Sequence, residues 1–260
     1  MQWTNTKDWV NVDLDRETEH QAALVTRDFL LQVKSALQSV KPEQARSFLS
    51  VPFSQFEKSH LKFLLAAIGT GEVRAVAGDS RAEETGIHGL WRVQQGGIDR
   101  FEVTRVPSFV LQTLSTGDFP DALPELPQGA FAAPAILQEL RKAQAELDPS
   151  ALRSVPPYTI ELTRQPLTPE DLDYLQAALG VGNLQIGIAG FADASIESTA
   201  VRGIWRSKIF NKAGKALFDA YVVVTLPEEV PNDEDELHDG VKQCDDILAW
   251  IEADLNEGRL

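Results

Sequence analysis

Four histidines, one cysteine and a scatter of carboxylates and hydroxyls are what this chain offers to chemistry, and their spacing decides what they can do. His20, His60, His88 and His238 are far apart, and none shares a helical turn or a cysteine pair with another, so no metal-ligand pattern is present. Cys244 stands alone, which rules out an internal disulfide. Ser195, Ser198 and Thr199 have no histidine beside them and no Gly-x-Ser-x-Gly elbow around them. Glu83, Glu84 and Glu197 could move protons, but isolated acids on strands or turns are ordinarily solvated surface groups. The expectation is a protein without a catalytic site, metal or cofactor. Recognition chemistry remains. Trp91-Arg92 and Trp205-Arg206 pair large apolar area with directed hydrogen bonding, and Phe191, Arg202, Phe210 and Asn211 stand near the second pair. These eight are the candidate partner-binding residues. The competing reading has each indole filling the core of its own sheet, with the arginine on the opposite face of the strand.

The elements that position these residues are written twice. Leu61-Lys-Phe-Leu-Leu-Ala-Ala-Ile-Gly69-Thr-Gly71 returns as Leu172-Asp-Tyr-Leu-Gln-Ala-Ala-Leu-Gly180-Val-Gly182, with six of eleven positions identical. Each copy runs on to a Gly-aliphatic-Trp-Arg tetrad, Gly89-Leu90-Trp91-Arg92 and Gly203-Ile204-Trp205-Arg206, and closes at Pro107 and Pro227. The offset grows from 111 at the first motif (172 − 61) to 114 at the tryptophans and 120 at the prolines, so the second copy is longer in its strand-rich part. Each copy predicts a helix and then a three-stranded antiparallel meander. Thr168-Pro169-Glu170-Asp171 is a helix start with an N-cap hydroxyl, proline at the first turn and acids on the dipole. Ser54 and Glu57 have capping-box spacing in the first copy. Gly69 and Gly180 are expected to end the helices in the left-handed region. The apolar runs 73–77 and 184–188 open the meanders, and Gln95-Gly96-Gly97 and Asn211-Lys-Ala-Gly214 supply turns. The Gly-x-Gly pairs follow a helix, the reverse of their order in a dinucleotide fold.

Outside the repeats, 17–39 reads as an amphipathic helix, a linking helix opens at Ala133-Pro134, and Leu237, Val241, Cys244, Leu248, Ile251 and Leu255 form one stripe of a terminal helix. That stripe makes Cys244 a buried structural thiol. The predicted fold is α+β with internal duplication and added N-terminal, linking and C-terminal helices. The expected division is 1–155, containing repeat unit 54–110, and 156–260, containing repeat unit 167–228 and the terminal helix, with Ser154-Val-Pro-Pro157 as hinge.

The chain has 260 residues, 43% of them hydrophobic, enough for a substantial core. A net charge of −15 argues against nucleic acid and anionic membrane surfaces as partners. No run approaches a membrane span, and Met1-Gln-Trp-Thr-Asn-Thr-Lys-Asp lacks the regions of a signal peptide, so a cytoplasmic protein is expected. The acidic run Asp233-Glu-Asp-Glu236 directly precedes the terminal helix, where acids stabilise the dipole.

The second unit, from Leu179-Gly-Val-Gly-Asn-Leu through Gly190-Phe191-Ala-Asp-Ala-Ser-Ile-Glu-Ser198-Thr199 to Trp205 and Phe210-Asn211, resembles the C-terminal region of the HupH/HyaF hydrogenase expression and formation proteins. Ala130-Phe-Ala-Ala-Pro134-Ala-Ile-Leu is similar to that family's segment before a helix, and Glu83-Glu84-Thr85 leading into Gly89-Leu-Trp91-Arg92-Val93 is similar to its earlier copy. The resemblance covers roughly 54–227 in order. It departs at Ala194, where the family pattern has a cysteine, so a thiol or metal-binding role at that position is absent here. The resemblance implies a non-enzymatic accessory protein in maturation of a nickel-iron uptake hydrogenase. It would bind the iron-sulfur small-subunit precursor before twin-arginine export, alongside a thioredoxin-like hydrogenase accessory protein. The alternative is a small-ligand-binding protein or enzyme with a pocket between the two pseudo-symmetric halves.

Overall fold

The computed structural model describes residues 14–41, 47–148, 157–190 and 192–258. In chain order these form α1 (Arg16–Leu37), β1 (Leu49–Pro52), a 3₁₀ turn (Phe53–Gln55), α2 (Lys58–Ile68), β2 (Thr70–Ala77), β3 (Ser80–Thr85), β4 (Leu90–Gln95), β5 (Ile98–Val103) and α3 (Ser108–Gln112). They continue as α4 (Ala133–Ala145), β6 (Tyr158–Glu161), α5 (Pro169–Leu179), β7 (Leu184–Ile188), β8 (Asp193–Ser198), β9 (Ile204–Phe210), β10 (Ala216–Val223) and α6 (Glu234–Asn256). The fold is α+β, and the duplication is present as the meanders β2–β5 and β7–β10, each opened by the predicted helix. Each meander has a fourth strand. The added strands, β3 and β8, carry Ser-Arg-Ala-Glu-Glu-Thr and Asp-Ala-Ser-Ile-Glu-Ser and so lack the apolar run that marks a strand in sequence.

The chain divides into two compact units that are not contiguous halves. One contains Met1–Glu72, Ala82–Ser108 and Asn232–Leu260; the other contains Val73–Arg81 and Phe109–Pro231. The terminal helix therefore belongs to the first unit, not to the second half as the division at 155 has it. Ser154 to Pro156 of the expected hinge lie outside the described residues.

In the first unit the strand order is β1-β5-β4-β3. Ala22, Leu30 and Val33 of α1, Leu64 of α2, and Cys244 and Ile251 of α6 bury against Leu90, Phe101 and Val103 of the sheet. Cys244 has no exposed surface, and burial pushes its thiol up to about 12, with Asp245 adding to the rise and Lys34 opposing it. It is a structural thiol, as its place on the stripe predicts. The first-copy helix starts later than Ser54 suggests, at Lys58, and its N-cap Glu57 makes no side-chain cap. The cause is aromatic packing: the Phe53 ring lies 4.6 Å from Phe101 and the Phe56 ring 5.5 Å from Phe29, which holds the preceding residues in a 3₁₀ turn.

In the second unit the order is β2-β7-β8-β9-β10-β6, with Val73–Ala77 of β2 paired to β7. Leu137 and Leu140 of α4 and Leu175 and Leu179 of α5 bury against Ile160, Ile204, Tyr221 and Val223. Here the predicted helix start holds. Thr168 and Asp171 form a capping box with Pro169 in the first turn.

Both repeat helices end on glycine, but not in the left-handed helical region. Gly69 has φ 65° and ψ −163°, and Gly180 has φ 64° and ψ −178°, an extended positive-φ conformation that is essentially glycine's alone. The second glycine of each pair serves close approach instead. A Cβ on Gly71 would stand 2.6 Å from the Thr85 carbonyl, and one on Gly182 would stand 2.5 Å from that of Thr199.

Candidate functional site

The two tetrads are core-forming. Trp91 is fully buried, and its Nε1 donates to the Thr104 carbonyl (3.1 Å) and to Asn232 Oδ1 (3.2 Å). Trp205 is 2% exposed and donates to the Val224 carbonyl (2.9 Å). The reading of these indoles as partner contacts is thus corrected. The repeat supplies each with a carbonyl from the end of its own closing strand, which satisfies the one polar group that burial would otherwise strand.

The arginines point to the other face, as alternation requires. Arg92 lies 5.1 Å over the Phe53 ring and 3.4 Å from Asp99. Arg206 holds Asp219 through two bonds of 3.0 and 2.9 Å and stands 5.8 Å from the Tyr221 ring centre. The Asp219 hydrogen bonds raise the Arg206 pKa against the opposing effect of burial. Burial pushes the Tyr221 hydroxyl up to about 12, Arg206 pulling it down and Asp219 and Glu197 pushing it up. Both guanidinium groups are therefore engaged within the fold.

Asn211 builds the β9–β10 hairpin: its Oδ1 accepts from the amides of Ala213 (3.0 Å) and Lys215 (2.9 Å). Phe210 precedes it and pairs with Asp193 and Ala216. Arg202 lies before the other end of β9, 45% exposed and 3.6 Å from Asp118. Eight residues of extended chain span about 26 Å, so Arg202 and the Phe210–Asn211 hairpin do not form one patch. Phe191 lies outside the described residues. Ala194 sits in β8 opposite Ile188 and Ile209.

Three features go beyond what any motif in the sequence marks. The first is Asp171, with no exposed surface, whose Oδ1 accepts from the amides of Phe131 (2.8 Å), Ala132 (2.9 Å) and Ala133 (2.9 Å). Its Oδ2 accepts from Thr168. Desolvation opposes ionisation, but these donors outweigh it and hold the carboxyl below its ordinary 3.8. One carboxylate thus caps α5 and also satisfies the amides at the start of α4, leaving Phe131 80% exposed on a fixed backbone. The capping pattern announced the first role of Asp171. Its reach across forty residues had no sequence signal.

The second feature is Asn232, buried just before the α6 cap. Its Nδ2 donates to Glu84 Oε1 (2.8 Å), its Oδ1 accepts from Trp91, and its backbone amide and carbonyl bond the Arg105 carbonyl (3.0 Å) and Nε (2.8 Å). His88 Nδ1 lies 3.2 Å from the same Glu84 oxygen. Next along the chain, Asp233 and Glu236 form the α6 capping box, so this acidic run is structural.

The third is a cavity of about 490 Å³ lined entirely by the second unit. Trp205, Ser207 and Ile209 of β9 form its floor with Ile196, Phe218 and Val222, and Glu228 and Glu229 lie at its wall. Its polar content is a serine, a threonine and the two acids. Partial burial raises the Glu229 carboxyl above its ordinary value, and repulsion from Glu228 adds to the rise. Among the described residues no group of three or more His, Cys, Asp and Glu could hold a metal, and no helix is long and apolar enough to cross a membrane.

Fold and site together define a duplicated α+β scaffold whose tetrads build its core. The model of the HupH hydrogenase expression protein C-terminal conserved region matches residues 130–251, which spans the second helix–meander copy and most of α6. The hydrogenase expression/formation protein HoxQ of Azotobacter vinelandii is 29% identical over 75% of this chain and 71% of its own. The corresponding HupH of Rhodobacter capsulatus is 31% identical over 65% of this chain and 60% of its own. A solved hydrogenase expression protein HupH from Thiobacillus denitrificans ATCC 25259 is 27% identical, covering 47% of this chain and 95% of that one at a TM-score of 0.38. The chain belongs to the HupH/HoxQ/HyaF family of hydrogenase expression/formation proteins. The family assignment supports an accessory role in hydrogenase maturation.

Proposed function

We propose that this chain binds the iron-sulfur small-subunit precursor of a nickel-iron uptake hydrogenase in the cytoplasm before export, together with a thioredoxin-like accessory protein. The observation that carries the reading is the family match over 130–251. The physical chemistry of the site is compatible with it. An acidic chain of net charge −15 attracts basic segments over several ångströms, which favours encounter with a leader carrying arginines. Contacts are expected at the second unit's exposed groups, not at the buried indoles. Charge reversal at Asp233 and Glu236 would also remove the α6 capping box, so added salt is the cleaner probe of this attraction. The test is affinity capture, with reversible crosslinking, from cells making the hydrogenase. Recovery of the small-subunit precursor is the expected result, weakened by added salt. Recovery of neither precursor nor accessory protein would overturn the reading.

A further inference from the structure

The cavity of the second unit has a physical origin that suggests its occupant. On β9 the floor runs Trp205, Ser207, Ile209, and the cross-strand partners of Ser207 are Ile196 and Ala220. Two small residues therefore sit adjacent among large ones, and the hollow lies over Ser207. The first copy differs at the matching positions. Val93, fully buried, stands two residues after its tryptophan where Ser207 stands in the second copy. Two residues after the closing proline, the first copy has the fully buried Phe109 and the second has the exposed Glu229. At both positions the second copy has a smaller or charged group where the first has a buried apolar one.

A hollow of this size falls within the range of ligand sites, and its apolar floor favours large apolar side chains. The two carboxylates at its wall lie on Leu226-Pro227-Glu228-Glu229, beside that floor. Neither forms a salt bridge with a cation among the described residues. A cation placed next to the apolar side chain would stand beside a wall that carries both acids. It would also offset the repulsion between the two acids.

We infer that this cavity is a docking site for an extended polypeptide segment in which large apolar residues directly adjoin basic ones. Resting on the function proposed above, that segment belongs to the hydrogenase precursor. The apolar side chains fill the space above Ser207 and the basic ones pair with Glu228 and Glu229. Neither element suffices alone, since an exposed ion pair contributes little and a purely apolar segment leaves the acids unpartnered.

The test uses the full chain and a fluorescent probe peptide containing Arg-Arg-Gly-Phe-Leu between glycines, read by anisotropy. Its controls carry Glu-Glu for Arg-Arg or Ala-Ala for Phe-Leu. Wild-type chain is expected to bind the probe about tenfold or more tighter than either control. The double variant Glu228→Lys, Glu229→Lys on the surface, and Ser207→Leu in the floor, should each lose about that factor. Circular dichroism and melting would confirm that both variants are folded. Equal affinity for all three peptides, or undiminished binding by a folded double variant, overturns the proposal. So does a self-association of the chain that the same variants abolish, which would assign the cavity to a second copy. Precursor capture separates the two readings. Capture retained by variants that no longer bind the probe removes the cavity from the interface and leaves the proposed function standing. Selective probe binding by a chain that never captures precursor does the reverse.

Discussion

The two meanders are built from one plan and closed in two ways. In both, a threonine turns the corner into the tetrad. Thr85 Oγ1 bonds the Leu90 carbonyl and Thr199 Oγ1 the Ile204 carbonyl, each at 2.9 Å. In both, a tryptophan reaches a carbonyl just beyond the last strand. The residue before that threonine is where they part. Glu84 of the first copy enters a buried network with Asn232, His88 and Trp91, which ties the meander to the start of α6. The Ser198 hydroxyl of the second copy bonds the backbone of Leu184 instead, at 3.0 and 3.2 Å, and the sheet beyond carries a cavity. Identical framework residues set the strands, so the differences between copies show which positions are released for another use.

If this contrast is right, the largest loss of stability comes from removing the first copy's polar tie. Asn232→Leu leaves the Glu84 carboxylate without its amide donor and the Trp91 N–H with one acceptor instead of two. The expected cost is about 3 kcal/mol or more, because an under-solvated buried charge is costlier than a lost neutral bond. Ser198→Ala, its counterpart, should cost about 1 kcal/mol, since a single hydroxyl bridging one residue's backbone is lost. Urea unfolding of the two variants decides it. Equal losses would mean that the copies are closed equivalently.

Asp171 sharpens the comparison from the other side, because the first copy has nothing like it. At the position 111 residues earlier stands His60, and Glu57 makes no cap. Asp171→Asn should cost about 2 kcal/mol at neutral pH by weakening four backbone bonds from amides of Phe131, Ala132, Ala133 and Thr168. The folded carboxyl lies below 3.8, so the ionised form is what the fold binds. The wild-type advantage is therefore full at pH 7. It begins to fall as pH drops through about 4, the unfolded value, and is gone below the lowered folded value. Melting temperatures of both proteins from pH 7 to pH 2.5 should converge; parallel curves would sink the assignment.

Much of the framework was readable from residue order alone. The duplicated helix motif, the Thr168 start, the terminal stripe through Cys244 and the tetrad strands all rest on local periodicity and caps, which sequence displays directly. The strands β3 and β8 were not readable, because their residues are polar or small and only pairing makes them strands. The site was less legible still. Trp91 and Trp205 look like recognition residues until the carbonyls of Thr104 and Val224 are in place, and those lie beyond a hairpin. Asn232 and Asp171 act over long sequence distances, and a hollow over Ser207 requires knowing that Ala220 stands across from it.

The glycine pairs give a smaller test of the shared plan. Gly71→Ala and Gly182→Ala put a Cβ 2.6 Å and 2.5 Å from the backbone oxygens of Thr85 and Thr199, and carbonyls move only with their strands. Each should cost about 1–3 kcal/mol. Gly182→Ala should be the worse, because its Cβ also stands 2.2 Å from Ser198 Oγ and displaces the hydroxyl from Leu184. A reversed order in thermal melts would show that Glu84, which Gly71 also approaches, is the less yielding neighbour.

The smallest effect is the most telling about the second copy. Ser207→Val installs the residue that the first copy has at the matching position, and β9 tolerates a β-branched side chain as well as β4 does. If the serine were there for stability, losing its hydroxyl in a 9%-exposed site would cost about 1–2 kcal/mol. If it is there to keep the hollow open, valine removes a polar group from an apolar floor and fills space, and the chain should be unchanged or more stable by up to about 1 kcal/mol. A gain in melting temperature would place Ser207 among the residues at which stability has been given up for an opening. A loss would return it to the framework, with the cavity a by-product of packing.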